Sequence, residues 1–315
     1  MKHSLLQNIV TYLQNPQYKD SIEQKPFLFS MLQIIRINLL AIFLSFVTGI
    51  VIAFITTKTN ALDGHAVGDF IENESILAAF IFSCIVAPLL EESAFRLWLI
   101  NKPLQVAIGT FGFLFYYISS FIPGSFLKSF FAFSELINPI TMLAVYLAIY
   151  VVGVTTLYFI IKQKFVQTKL AWLYSAYYKW IFFGSAVLFG LLHITNYKFS
   201  WIVVLLTPIL ILPQVFGGIL LSYVRVKYGF WRGVVGHFLY NLLLLTPSLG
   251  IKLMSPQSQK LLESSNFNLN SLNQTDKSII LSVFFYFLLL ACTVIGSSIH
   301  LIVIYFLASN KKTQV

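Results

Sequence analysis

Apolar stretches near 37–57, 76–99, 104–122, 138–161, 176–196, 200–222, 232–248 and 279–307 run along almost the whole 315-residue chain. A helix needs about 20 such residues to cross a hydrocarbon core of roughly 30 Å, so the pattern predicts about eight transmembrane helices. Inside lipid every backbone N–H and C=O must find a partner within the protein, which only helices or closed barrels provide. The strict apolar/polar alternation of a membrane barrel is missing. The predicted fold is therefore all-α, a polytopic integral membrane helical bundle. Composition closes off the alternative: 58% of residues are hydrophobic and 10% charged, too few to cover a water-soluble globule of this length. The short gap between the fifth and sixth stretches predicts a tight helical hairpin.

A net charge of +10 would suggest nucleic acid in a soluble protein. Here the basic residues punctuate the apolar runs, so they report orientation and no nucleic-acid partner is expected. With an even number of crossings, Lys2, Lys19, Lys25, Arg36, Lys102, Lys162, Lys164, Lys169, Arg225, Lys227, Arg232, Lys311 and Lys312 share one side. Lys58, Lys128, Lys198, Lys252, Lys260 and Lys277 fall on the other, with the acidic loop of Asp63, Asp69, Glu72 and Glu74. The positive-inside rule makes the first side cytoplasmic and puts both termini there. Three segments follow: a cytoplasmic or interfacial stretch at 1–31, one transmembrane bundle over 32–308 and a cytoplasmic tail at 309–315. Leu5, Leu6, Ile9, Val10 and Leu13 predict a short amphipathic helix lying on the membrane surface. No cleaved signal peptide is expected from the charged first 31 residues. Cys84 and Cys292 both fall in apolar runs, so no disulfide framework is expected.

An ionisable side chain inside a span costs about 2.5–3.5 kcal/mol on insertion scales, so those that persist usually face a cavity. The second span carries Glu91-Glu92-Ser93-Ala94-Phe95-Arg96. Glu92 and Arg96 have the i, i+4 spacing of a helical ion pair. Neighbours on a helix point about 100° apart, so Glu91 is left to face a polar cavity as a candidate general base. Taken alone, the cluster reads equally well as a buried ion pair fixing helix register. Phe189 precedes His193 by one turn in the fifth span, and His237 precedes Asn241 by one turn in the seventh. A single histidine in such a helix is more often a packing residue, and His300 in the last span is read that way.

The three groups together form the parts of a water-activating hydrolase. Glu-Glu-x-x-x-Arg, Phe-x-x-x-His and His-x-x-x-Asn, in this order on separate spans, resemble the CPBP family of intramembrane proteases. That family includes the type II CAAX prenyl endopeptidases and bacterial Abi-like proteins linked to bacteriocin processing or self-immunity. The resemblance covers these motifs and the helical topology; two further apolar spans separate Glu91 from His193. It implies an intramembrane endopeptidase acting on a membrane-anchored or lipidated protein or peptide. Glu91 and His193 would activate water, His237 and Asn241 would stabilise the oxyanion, Glu92 and Arg96 would support them, and Phe189 would pack. The same Glu91, His193 and His237 are also a possible donor set for catalytic Zn2+, and the ion is left open. A non-catalytic scaffold or immunity factor is the alternative; a proton-coupled transporter is disfavoured, since no repeat or broken-helix signature appears. The membrane is that of a multi-pass protein, plasma or inner membrane if bacterial and endoplasmic reticulum if eukaryotic. The His-Glu-x-x-His, Gly-x-Gly-Asp and rhomboid-type serine patterns of other intramembrane proteases do not occur.

Overall fold

The computed structural model describes residues 4–18, 25–57, 66–121, 139–263 and 268–310. Asp63, the basic residues Lys2, Lys19, Lys58, Lys128, Lys311 and Lys312, and most of the 309–315 tail lie outside them. The described residues form helices: α1 (Leu5–Gln14), α2 (Phe27–Thr56), α3 (Ala66–Asn73), a composite α4 (Ile76–Leu99), α5 (Pro103–Phe121), α6 (Pro139–Ile161), α7 (Lys164–Leu192), α8 (Trp201–Leu210), α9 (Leu212–Tyr228), α10 (Phe230–Lys252), α11 (Pro256–Glu263) and α12 (Gln274–Asn310). Among the described residues, seven helical stretches are long and apolar enough to cross a membrane: Phe27–Thr56, Ile76–Leu99, Ala144–Ile161, Lys164–Asn196, Trp201–Tyr228, Phe230–Lys252 and Gln274–Leu307. In α5 the apolar stretch Pro103–Phe115 is shorter. Phe54, Trp180, Phe199, Trp201, Leu205 and Leu289 all lie exposed on the outside. Such a surface is stable against acyl chains and not against water. The protein is a polytopic integral membrane protein.

Two helices differ from their expected form. The fifth span begins at Lys164, earlier than expected, and bends at Tyr177, where φ −126° and ψ 18° interrupt the helix before it resumes to Leu192. The sixth is two helices, α8 and α9, joined at Ile211. Pro213 enters at the first turn of α9, where a missing N–H costs nothing. Between α9 and α10 the connection is the single residue Gly229, whose φ of 97° suits glycine and ends one helix as the next begins. Arg225, read from sequence as one of the cytoplasmic loop charges, is instead buried inside α9. Loop-like charge density alone could not show that its guanidinium has partners within the bundle.

The main core gathers α1, α2, α7, α9 and α12 around Ile9, Ile34, Ile37, Tyr178, Phe182, Tyr223 and Leu301. Helix α1 is amphipathic as expected, and Ser4 and Gln7 form a reciprocal capping box at its start. Its apolar face is not laid on the membrane surface. Ile9 is 2% exposed, and Tyr12 packs edge-on against Phe182 and Tyr223. Protein side chains satisfy the amphipathic stripe that sequence alone assigned to lipid. Burial pushes the Tyr12 hydroxyl up to about 12.

Candidate active site

The acidic residues sit on α4, whose backbone is irregular for a definable reason. Residues Ile81–Val86 form a π-helical turn in which the Ala87 N–H reaches Phe82 O. The next bond of that series would run from residue 88 to Ser83 O, but Pro88 has no N–H to give. Asn241 supplies the missing donor, its Nδ2 lying 2.8 Å from Ser83 O. The π-turn, the proline and Asn241 are thus one device joining α4 to α10.

Beyond the turn, α4 resumes over Ala87–Arg96 and buries Glu91, Glu92 and Arg96. Arg96 Nη1 approaches Glu92 Oε1 at 3.4 Å, with both side chains fully shielded. The expected i, i+4 pairing of Glu92, and not Glu91, with Arg96 is present. The guanidinium also lies over the Phe189 ring at 3.9 Å, a desolvated cation–π contact. Phe189 is 5.5 Å from Phe95, 4.6 Å from His193 and 6.0 Å from His237, ring centre to ring centre. It is therefore a packing residue, as expected, and also the spacer that sets where both imidazoles stand.

The C-terminal end of α4 is held by side chains from elsewhere in the chain. Ser185 donates to Phe95 O, Arg225 Nε to Arg96 O at 3.0 Å, Tyr174 to Trp98 O, and Tyr178 to Leu99 O at 3.1 Å. Tyr18 accepts from the Asn101 N–H at 3.1 Å. A helix end leaves its last carbonyls unsatisfied, and in a low-dielectric interior each needs a donor. Arg225 also donates to Gln105 Oε1 at 2.8 Å. None of these holders was recognised from sequence; the only signal was a run of polar-tipped aromatic residues at 174 and 178.

His237 is buried on α10, one turn after Gly233. A Cβ at Gly233 would stand 3.3 Å from Glu92 Oε2, so the glycine lets α10 close onto the carboxylate. His237 Nδ1 is 3.0 Å from Glu92 Oε1, and Nε2 is 3.5 Å from Glu91 Oε2. The ring is held between the two acids, with its Nε2 edge toward Glu91. Asn38 of α2, also missed from sequence, donates to Gly236 O at 2.7 Å just before His237. His193 follows the last turn of α7, and its Nδ1 lies 2.8 Å from Phe189 O. Donation to that carbonyl leaves Nε2 as the lone-pair nitrogen.

Glu91, His193, His237 and Asn241 line one cavity of about 380 Å³, together with Asn38, Gln214 and an apolar wall. The α4, α7 and α10 motifs therefore meet as the sequence predicted, while Glu92 and Arg96 stand behind them. His300 is exposed on α12 and takes no part.

Residues 73–243, more than half of the chain, match the Type II CAAX prenyl endopeptidase Rce1-like family. The chain belongs to this family. Every motif residue lies within the matched range, whereas α1, α2, α11 and α12 lie outside it. No curated protein and no solved structure matches the chain. As to Zn2+, no group of three His, Cys, Asp or Glu side chains among the described residues is arranged to hold a metal ion. His237 has Nδ1 on Glu92 and Nε2 toward Glu91, so its donor atoms are already directed to carboxylates.

Proposed function

We infer that this protein is an intramembrane endopeptidase that cleaves a membrane-anchored or lipidated protein or peptide with a water activated by Glu91 and His193. The reading rests on the convergence of Glu91, His193, His237 and Asn241 on one cavity among apolar helices, together with family membership. Glu91 and the His193 Nε2 lone pair hold a water between two acceptors. As its oxygen attacks the scissile carbonyl carbon, Glu91 takes the proton. The oxyanion is met by His237 Nε2–H and by the amide of Asn241. Collapse breaks the C–N bond, and Glu91 returns the proton to the leaving nitrogen.

Permanent charges around the cavity balance: Glu91 and Glu92 stand against Arg96 and Arg225. With Glu92 accepting from Nδ1, His237 donates through Nε2 when its ring carries both protons, and the added positive charge is neutralised by the oxyanion. Preorganised charge of this kind, shut away from water, favours the tetrahedral intermediate over the ground state. We further assign α5 as an eighth crossing, with the single bundle over 32–308 and both termini cytoplasmic; reporter fusions at the termini and at the loop after α5 test this.

The activity is tested with quenched fluorescent membrane-anchored peptides and the purified protein in detergent. Wild type is expected to cleave, and Glu91→Ala and His237→Ala to fall to background. Equal background in all three would return the protein to a scaffold role. Activity retained in a strong chelator supports direct activation of water. Loss restored by added Zn2+ would move Glu91, His193 and His237 into a ligand set.

A further inference from the structure

Two adjacent glycines in α9 do opposite things. At Gly218 a Cβ would press on Phe189 Cδ1 at 3.1 Å and on the Ala186 Cα at 3.3 Å. That glycine lets α9 lie against α7, as small residues do between packed membrane helices. At Gly217 a Cβ would meet nothing within 4 Å. Gly49, Gly184 and Gly296 also have open space at the Cβ position, but Gly217 is the buried one among them and lines the active cavity. Glycine in the middle of a helix is unfavourable relative to alanine. Packing explains it at Gly218 and gives no reason for it at Gly217.

The cavity that Gly217 lines carries the apolar Ala41, Pro213, Leu220, Leu221 and Leu244 beside its polar residues. One turn before Gly217, the Gln214 side-chain oxygen is buried without a hydrogen-bond partner. A buried acceptor of this kind is costly until a donor arrives. A peptide N–H is such a donor, and a side chain beside it can enter the space that Gly217 leaves.

We propose that Gly217 is the specificity-determining position of the active cavity: its missing side chain forms a subsite for a bulky apolar substrate side chain, with Gln214 taking an adjacent peptide N–H. This deepens the endopeptidase reading and rests on it. The test uses two anchored quenched peptides differing only in alanine or leucine through a short central segment. In the series Gly217→Ala, Gly217→Val and Gly217→Leu, kcat/KM for the leucine peptide is expected to fall progressively, by about 10- to 200-fold, the range a hydrophobic pocket supplies per methylene-scale misfit. The alanine peptide should lose far less, because none of its side chains enters the pocket. Gln214→Leu should raise KM for both peptides; an unchanged KM removes Gln214 from the subsite. Equal losses on both peptides, or no loss on either, would overturn the assignment of Gly217.

A binding readout separates this from failure of the protease reading. In a Cys84→Ala, Cys292→Ala background, Leu221→Cys, one turn after Gly217 on the same cavity wall, is modified with a small methanethiosulfonate. The leucine peptide should slow modification and the alanine peptide should not. If wild type cleaves neither peptide, the endopeptidase reading falls while this protection still decides the subsite. Equal modification rates with both peptides would refute it.

Discussion

Replacing Glu92 by glutamine separates what the buried charges do for stability from what they do for chemistry. Glu92 and Arg96 are each fully shielded at 3.4 Å, and Glu92 also accepts from His237. Removing one member of a buried pair typically costs about 3–5 kcal/mol, because the other charge is left uncompensated. The Phe189 ring beneath the guanidinium at 3.9 Å remains and offsets up to about 2 kcal/mol of that. The expected net loss for Glu92→Gln is about 3 kcal/mol, which at ~2 °C or more per kcal/mol lowers Tm by at least ~6 °C. In Glu92→Gln/Arg96→Met neither charge remains, and a neutral interior of similar volume should recover most of the stability. Activity should not recover, since His237 Nδ1 then lacks the carboxylate that fixes its ring; a deficit of roughly 100-fold or more in kcat is expected. Thermal unfolding in detergent and peptide cleavage are read on wild type, Glu92→Gln and the double variant. An unchanged Tm for Glu92→Gln, or a double variant that regains both stability and activity, would refute the reasoning.

Arg225→Met removes the donor to Arg96 O and Gln105 and one of the two cations balancing the acids, so a loss of about 2–4 kcal/mol is expected in denaturation. Arg225→Lys should recover little of it, because an ammonium cannot span both acceptors as the guanidinium fork does; full recovery would argue against that geometry. Asn241→Ala should lower kcat by about 10²- to 10³-fold if the amide serves the oxyanion, and should unpair Ser83 O, at about 1–3 kcal/mol. Adding Pro88→Ala restores a backbone donor for Ser83 O, so the double variant should regain stability while kcat stays low; recovery of kcat would reduce Asn241 to a backbone cap.

Span length and hydropathy made the membrane bundle legible from sequence alone, because the bilayer's thickness imposes its own ruler on the chain. The i, i+4 spacings likewise identified which acid pairs with Arg96 and which turns carry His193, His237 and Asn241, since helical periodicity is local. What only the tertiary structure decided is everything that depends on long-range approach: Arg225 and the tyrosines holding the end of α4, Asn38 behind His237, the open space at Gly217, and α1 docked on protein instead of lipid. A charge, a tyrosine hydroxyl or a glycine reads the same in sequence whether it meets a partner, a cavity or solvent. Its role is set by which distant helix folds against it, and no local pattern encodes that.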